Sequence, residues 1–167
     1  SWGGKFYVQI VGLPIGPRAT SAIARLVMNR LDEMVLEELE RLGLKTDFVV
    51  RYIDDIRRIM EAIKAGTVIR NGCLVEDQDQ KVADEGLEDP ESEVTARILE
   101  EVYNGVMDGL VFTTEVIGDF KDEWGIPTLD TMWRLFENGG GKKVLGYKFY
   151  KKPVSSKWVT PFRSAQG

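Results

Sequence analysis

The order of the chain predicts an α+β domain, an antiparallel sheet with helices packed on one face. Three observations point there. Apolar residues recur at three and four through residues 20–42. Short β-branched and aromatic runs are divided by Gly, Pro and Asn turns. The elements follow as strand, helix, hairpin, helix and strands. At 167 residues the chain is long enough for one domain with its own core.

Residues 5–11 (KFYVQIV) have strand composition and run into the rigid turn GLPIGP. The helix that follows carries Ile23, Leu26, Val27, Leu31, Met34, Val35, Leu39 and Leu42 on one side. Thr20 or Ser21 can cap its start, and Gly43 suits the left-handed residue that ends a helix. In TDFVVRYIDDIRRIM, Phe48, Val49, Val50 and Tyr52 favour a strand while Asp54 and Asp55 favour a turn, so a hairpin is expected. A second helix is expected over residues 93–107, with Val94, Ile98, Val102 and Val106 on one face. Strands are expected over residues 110–116, 129–135 and 144–150, the last two joined by NGGG.

Composition removes several chemistries. The chain has no His and one Cys, which excludes Ser-His and Cys-His catalysis as usually built, haem with a His ligand and nearly every zinc site. Cys73 cannot form an internal disulfide, so a reducing cell interior is the simpler reading and the thiol is structural. No apolar run approaches the roughly 20 residues that span a bilayer, and the first residues lack a secretory pattern, so a soluble protein is expected. Ser1 in place of Met reads as a piece cut from something longer.

Charge is uneven. Between Glu76 and Glu93 there are nine acidic side chains against Lys81 alone, and residues 64–92 read as an acidic insertion or mobile loop. From Gly139 onward there are basic residues and no acidic one, an end that suits a polyanion.

Asp54 and Asp55 stand side by side among apolar and basic residues. Neighbouring carboxylates repel, and a hard divalent cation with oxygen ligands relieves that repulsion while serving phosphoryl or nucleotidyl transfer. The competing reading makes Asp55 the cap of a helix with Ile56, Ile59, Met60 and Ile63 inside.

FYVQIVGLPIGPRATSAIARLVMNRLDE followed by VVRYIDDI resembles the middle of a reverse transcriptase palm, where a Gly/Pro turn opens a long helix and a Tyr-x-Asp-Asp hairpin follows. LVFTTEV, IPTLDTMWR and YKFYKKP are similar to the later run of Penelope-like retroelement reverse transcriptases, so the resemblance covers the chain except residues 64–92. It implies a single palm-like domain over residues 1–167. It also implies that Asp54 coordinates catalytic magnesium, or manganese in its place, with Asp55 supporting the same site. Tyr52 would lie beside the primer end. Gly12, Pro14, Ile15 and Gly16 would form the turn over nucleotide and template, with Gln9 ahead of it. Lys148, Lys151 and Lys152, interleaved with Tyr147, Phe149 and Tyr150, would face the nucleic-acid backbone; an ordinary strand with its aromatic side buried and its Lys side solvated is the other reading. The implied partners are an RNA or DNA template-primer, deoxynucleoside triphosphates and the amino-terminal palm and fingers of an intracellular parent, for which the resemblance alone implies a nuclear location.

Three departures from the family pattern stand out. The further carboxylate that family members supply from a strand ahead of the Gly turn falls before Ser1, so this fragment alone is expected to be inactive. PRAT follows Gly16 where relatives place Ser-Pro. Arg57 and Arg58 stand in a strand that is normally more apolar, ahead of the acidic stretch. These features allow an alternative, a domesticated or degenerate relative that binds nucleic acid or protein without catalysis.

Overall fold

α1 (Arg18–Arg41) forms over the three-four stripe but begins ahead of Thr20 and Ser21, so neither of them is its cap. In the computed structural model of the chain the described residues are 3–4, 18–53, 55–116 and 124–150. The architecture is α+β, three helices with small antiparallel sheets among the described residues. The chain divides into two compact units, Ser1–Glu115 and Val116–Gly167. Among the described residues the strands form three sheets where one was expected, two hairpins in the first unit and a three-stranded sheet in the second, and the strand expected over residues 5–11 lies outside those residues.

In the first unit α1 ends as its sequence dictates. Gly43 adopts φ +73°, its N–H donates to the Glu40 carbonyl at 2.9 Å, and the Leu44 N–H reaches the Leu39 carbonyl at 2.8 Å. This paired closure satisfies carbonyls that the helix leaves free, and Leu44 folds back onto the core. The stripe is buried only along its later part: Leu31, Val35, Leu39 and Leu42 pack with Val102 and Tyr103 of α3 (Pro90–Val106). Ile23, Leu26 and Val27 stay exposed. α3 has 17 residues to the 24 of α1, so at 1.5 Å per residue α1 outruns it by about 10 Å.

After α1 the chain reverses into β1 (Thr46–Tyr52) and β2 (Asp55–Met60), an antiparallel hairpin. Asp55 therefore begins a strand, and the helix-capping alternative falls away. Ile56 packs on the core while the apolar residues of β1 stay largely exposed.

The acidic stretch expected as a loop is folded among the described residues. β3 (Thr67–Arg70) and β4 (Cys73–Glu76) form a hairpin, and α2 (Gln78–Asp84) follows. The turn is Asn71-Gly72, both with positive φ, the pairing a two-residue hairpin turn requires. The acids are employed locally. Asp77 caps α2 by accepting from the Asp79 and Gln80 N–H groups, and Asp89 caps α3 by accepting from Ser92, with Pro90 in the first turn. Asp84 is 1% exposed and closes an ion pair with Arg97, whose side chain is part exposed.

Residues 110–116, expected as a strand, join no ladder among the described residues. Side chains of α3 take the part of a neighbouring strand. Asn104 accepts from the Phe112 N–H at 2.7 Å and donates to its carbonyl at 2.9 Å, and Glu100 accepts from the Thr114 N–H at 3.0 Å.

In the second unit β5 (Ile126–Thr128), β6 (Thr131–Glu137) and β7 (Lys143–Phe149) form an antiparallel sheet. The strand expected over 129–135 begins at Thr131, because Leu129, at φ +54°, belongs to the turn before it. The NGGG turn is closed by Asn138, whose side-chain oxygen accepts from the Gly140 and Lys142 N–H groups. The ring of Phe136 covers Gly146, leaving no room there for a Cβ. Gly125 lies equally close to the Trp133 carbonyl. Backbone cannot yield as a side chain does, so Gly125→Ala is expected to cost about 1–3 kcal/mol, read by chemical denaturation. An unchanged denaturation midpoint would show that β5 shifts freely.

Candidate active-site hairpin

The register of β1 and β2 decides what the Tyr-x-Asp-Asp segment presents. Tyr52 pairs with Asp55, Arg51 with Ile56 and Val50 with Arg57, leaving two residues between the paired ends. Side chains alternate along a strand and partners share a face. Tyr52, Asp55 and Arg57 thus lie on one face, while Arg51 and Ile56 lie on the other, toward α1 and the core.

At the tip Ile53 adopts φ +59°. A β-branched residue in the left-handed region is a true outlier and costs on the order of 1–2 kcal/mol. Its side chain is 62% exposed, so burial does not compensate, and Tyr52 beside it is 59% exposed. The tip is instead tied by Arg51, which donates to the Ile53 carbonyl at 3.1 Å, to Asp32 at 2.8 Å and to Asn29 at 2.6 Å. Strain of this kind concentrates at functional sites.

Asp55 is paired with Arg57, Nη1 to Oδ1 at 2.8 Å. Arg58 turns the other way, donating to the Tyr103 hydroxyl at 2.9 Å and to Thr46 at 2.7 Å, with its guanidinium over the Tyr103 ring. Arg57 and Arg58 therefore have separate structural partners.

Asp54 lies outside the described residues, as do Gln9, Gly12, Pro14, Ile15, Gly16, Lys151 and Lys152. Of the residues singled out, the structure describes Tyr52, Asp55 and Lys148, and it brings the first two together. Lys148 belongs to the second unit, where its ammonium lies 4.9 Å from the Trp124 ring centroid. Strand alternation sets Lys148 on the face opposite Tyr147 and Phe149, and those aromatics are 70% and 88% exposed. Lys148 is exposed as well, so both faces of β7 meet solvent and the aromatic side is not the buried one.

Among the described residues no group of three or more Cys, Asp or Glu side chains gathers to hold a metal. Asp55 already has a guanidinium partner, and Asp32 gives one oxygen to Arg51 while its other, Oδ1, is buried without a hydrogen bond. The described residues by themselves therefore do not fit magnesium or manganese. A cavity of about 400 Å³ lies at the base of the hairpin, away from its tip, with Leu44, Ile63 and Leu74 among its lining and Lys45, Glu61 and Lys64 beside them.

Sequence reasoning missed Arg51 and Asn29, and it weighed Asp32 only as a metal carboxylate, not as a partner of Arg51. The signal that could have found them was an Arg next to the Tyr of the motif, together with two polar residues three apart on a helix that must pack beside it.

No protein-family model matches the chain, and no curated protein and no solved structure matches it either. No helix among the described residues is long and apolar enough to cross a membrane.

Proposed function

We propose that the chain is the carboxy-terminal part of a reverse transcriptase palm of Penelope-like retroelement type. Its parent would transfer nucleotides from deoxynucleoside triphosphates to a primer 3′-hydroxyl on an RNA or DNA template. The observation that carries this reading is the tip of β1–β2, where Tyr52 stands opposite Asp55 with a left-handed Ile53 between them and α1 alongside. A tight hairpin with an aromatic residue opposite an acid supports the arrangement that the resemblance requires.

In this reading Tyr52 supports the primer end, and Asp54 with Asp55 supplies carboxylates to a divalent cation, magnesium or manganese. That ion neutralises charge on the phosphates when bound. Asp55 must then exchange Arg57 for the cation, and further oxygen ligands must come from outside the described residues. The residues of the Gly/Pro turn, Gly12, Pro14, Ile15 and Gly16 with Gln9, would meet the nucleotide and template. The basic end around Lys148, Lys151 and Lys152 would meet the nucleic-acid backbone.

The Asp55–Arg57 pair favours a second reading, a relative that keeps the palm as a nucleic-acid or protein binding module. The test compares the longest native chain carrying Asp54→Asn with its parent, scoring magnesium-dependent primer extension and template-primer binding together. Extension that falls to background while binding survives is the expected result. Extension by neither protein, with binding in both, selects the binding module. Absence of both activities removes the palm reading. The isolated 167-residue chain is expected to bind template-primer without extending it.

A further inference from the structure

We infer that Arg51 is the positioning residue of this hairpin, holding Ile53 left-handed and fastening the tip to α1. The left-handed φ at Ile53 needs a compensating interaction, because its side chain is exposed and its branched Cβ disfavours that conformation. Arg51 supplies one by donating to the Ile53 carbonyl through Nη1. The guanidinium is itself immobilised. Nε donates to Asp32 and Nη2 to Asn29, and those residues, three apart on α1, present their oxygens side by side. A planar fork with fixed donor directions can hold three acceptors at once, which a Lys ammonium on a flexible stem does not reproduce. Neither Asn29 nor Asp32 touches the turn backbone through any described bond, so the restraint passes through Arg51.

Position matters here because a change from left-handed to extended backbone at Ile53 would slip the pairing of Tyr52 with Asp55. Under the palm reading, on which this consequence rests, Arg51 sets the aim of the acids and links it to the helix that follows the Gly/Pro turn. The assignment of Arg51 to the tip is independent of that reading.

Isotope-labelled full chain provides the test. The Ile53 HN–Hα coupling and Cα shift report its φ, and cross-strand NOEs between residues 52 and 55 report the register. Arg51→Met is expected to move the Ile53 reporters toward extended values and to lose the NOEs, with Arg51→Lys recovering them only in part. Adding Ile53→Gly to Arg51→Met is expected to restore the NOEs, because Gly occupies the left-handed region without cost. A merely structural Arg51 would not be rescued in this way. Should Arg51→Met fail to fold, Asn29→Ala with Asp32→Asn removes the anchor instead and is expected to shift the same reporters.

Unchanged Ile53 reporters in a folded anchor variant, or failure of Ile53→Gly to rescue, overturns the inference. A separate titration with manganese reads paramagnetic broadening of the Tyr52 and Asp55 amides. Its absence would count against the palm reading and leave the role of Arg51 standing.

Discussion

Arg97→Met is expected to destabilise the first unit by about 3–5 kcal/mol, because it strands a buried carboxylate without its cation. Asp84 is buried and receives both guanidinium nitrogens of Arg97, Nη1 on Oδ1 at 2.8 Å and Nη2 on Oδ2 at 3.2 Å. It also accepts from the Gly66 N–H at 2.8 Å and from Gln80 at 2.8 Å, and Arg97 donates in addition to the Thr67 carbonyl. One carboxylate thus joins the turn before β3, α2 and α3. Removing the Arg leaves a desolvated charge, which costs far more than an ordinary lost hydrogen bond.

The pH dependence has a definite sign. The Arg97 hydrogen bonds hold the Asp84 carboxyl well below its ordinary value of 3.8, against the opposing pull of burial, with Gln80 and Gly66 adding to the effect. A folded pKa below the unfolded one means that the unfolded chain binds more protons as the solution is acidified. The contribution is therefore complete above about pH 4 and is lost progressively below it. In Arg97→Met the largest cause of that depression is gone while Gln80 and Gly66 remain, so less of this contribution is left for acid to remove. The stability gap between the two proteins is expected to narrow below about pH 4 in urea titrations run across pH. A gap that stays constant would remove Asp84 as its source.

Leu39→Ala is expected to cost about 2–5 kcal/mol, toward the upper end of that range. Leu39 is 1% exposed and sits on α1 between Val35 and Leu42, the latter just past the helix end, in the cluster shared with Val102 and Tyr103 of α3. Its carbonyl accepts the closing bond from the Leu44 N–H, and Leu44 packs back on the same cluster, so the cavity left by truncation adjoins the helix end. Helix backbone on both sides prevents collapse into the space. Urea denaturation should show a lower midpoint with an unchanged slope, since the surface exposed on unfolding is nearly the same. A cost below about 1 kcal/mol would mean that the α1 and α3 interface repacks around the hole.

Much of the fold was legible because the strongest signals were local. The period of α1, its stop at Gly43, the β1–β2 hairpin and the β6–β7 hairpin each follow from residues near in sequence. The acidic stretch misled because charge was read as solvation, while Asp77 and Asp89 are short side chains at helix starts and Asp84 has a partner 13 residues on. Residues 110–116 have strand composition, but Asn104 and Glu100 satisfy their backbone from a helix, and composition does not reveal a partner of that kind. At the candidate site the sequence indicated the turn and its acids. It did not indicate Arg51, whose role depends on which face of β1 meets α1, a matter of register rather than residue type.

The ring of Phe136 over Gly146 has a consequence for the second unit. If β7 slid by a single residue against β6, Leu145 or Tyr147 would arrive beneath that ring, where a lone methyl is already too large. The missing side chain therefore acts as a key for strand alignment. It keeps Tyr147 and Phe149 on the face opposite Lys148, an assignment that a slip of one residue would exchange.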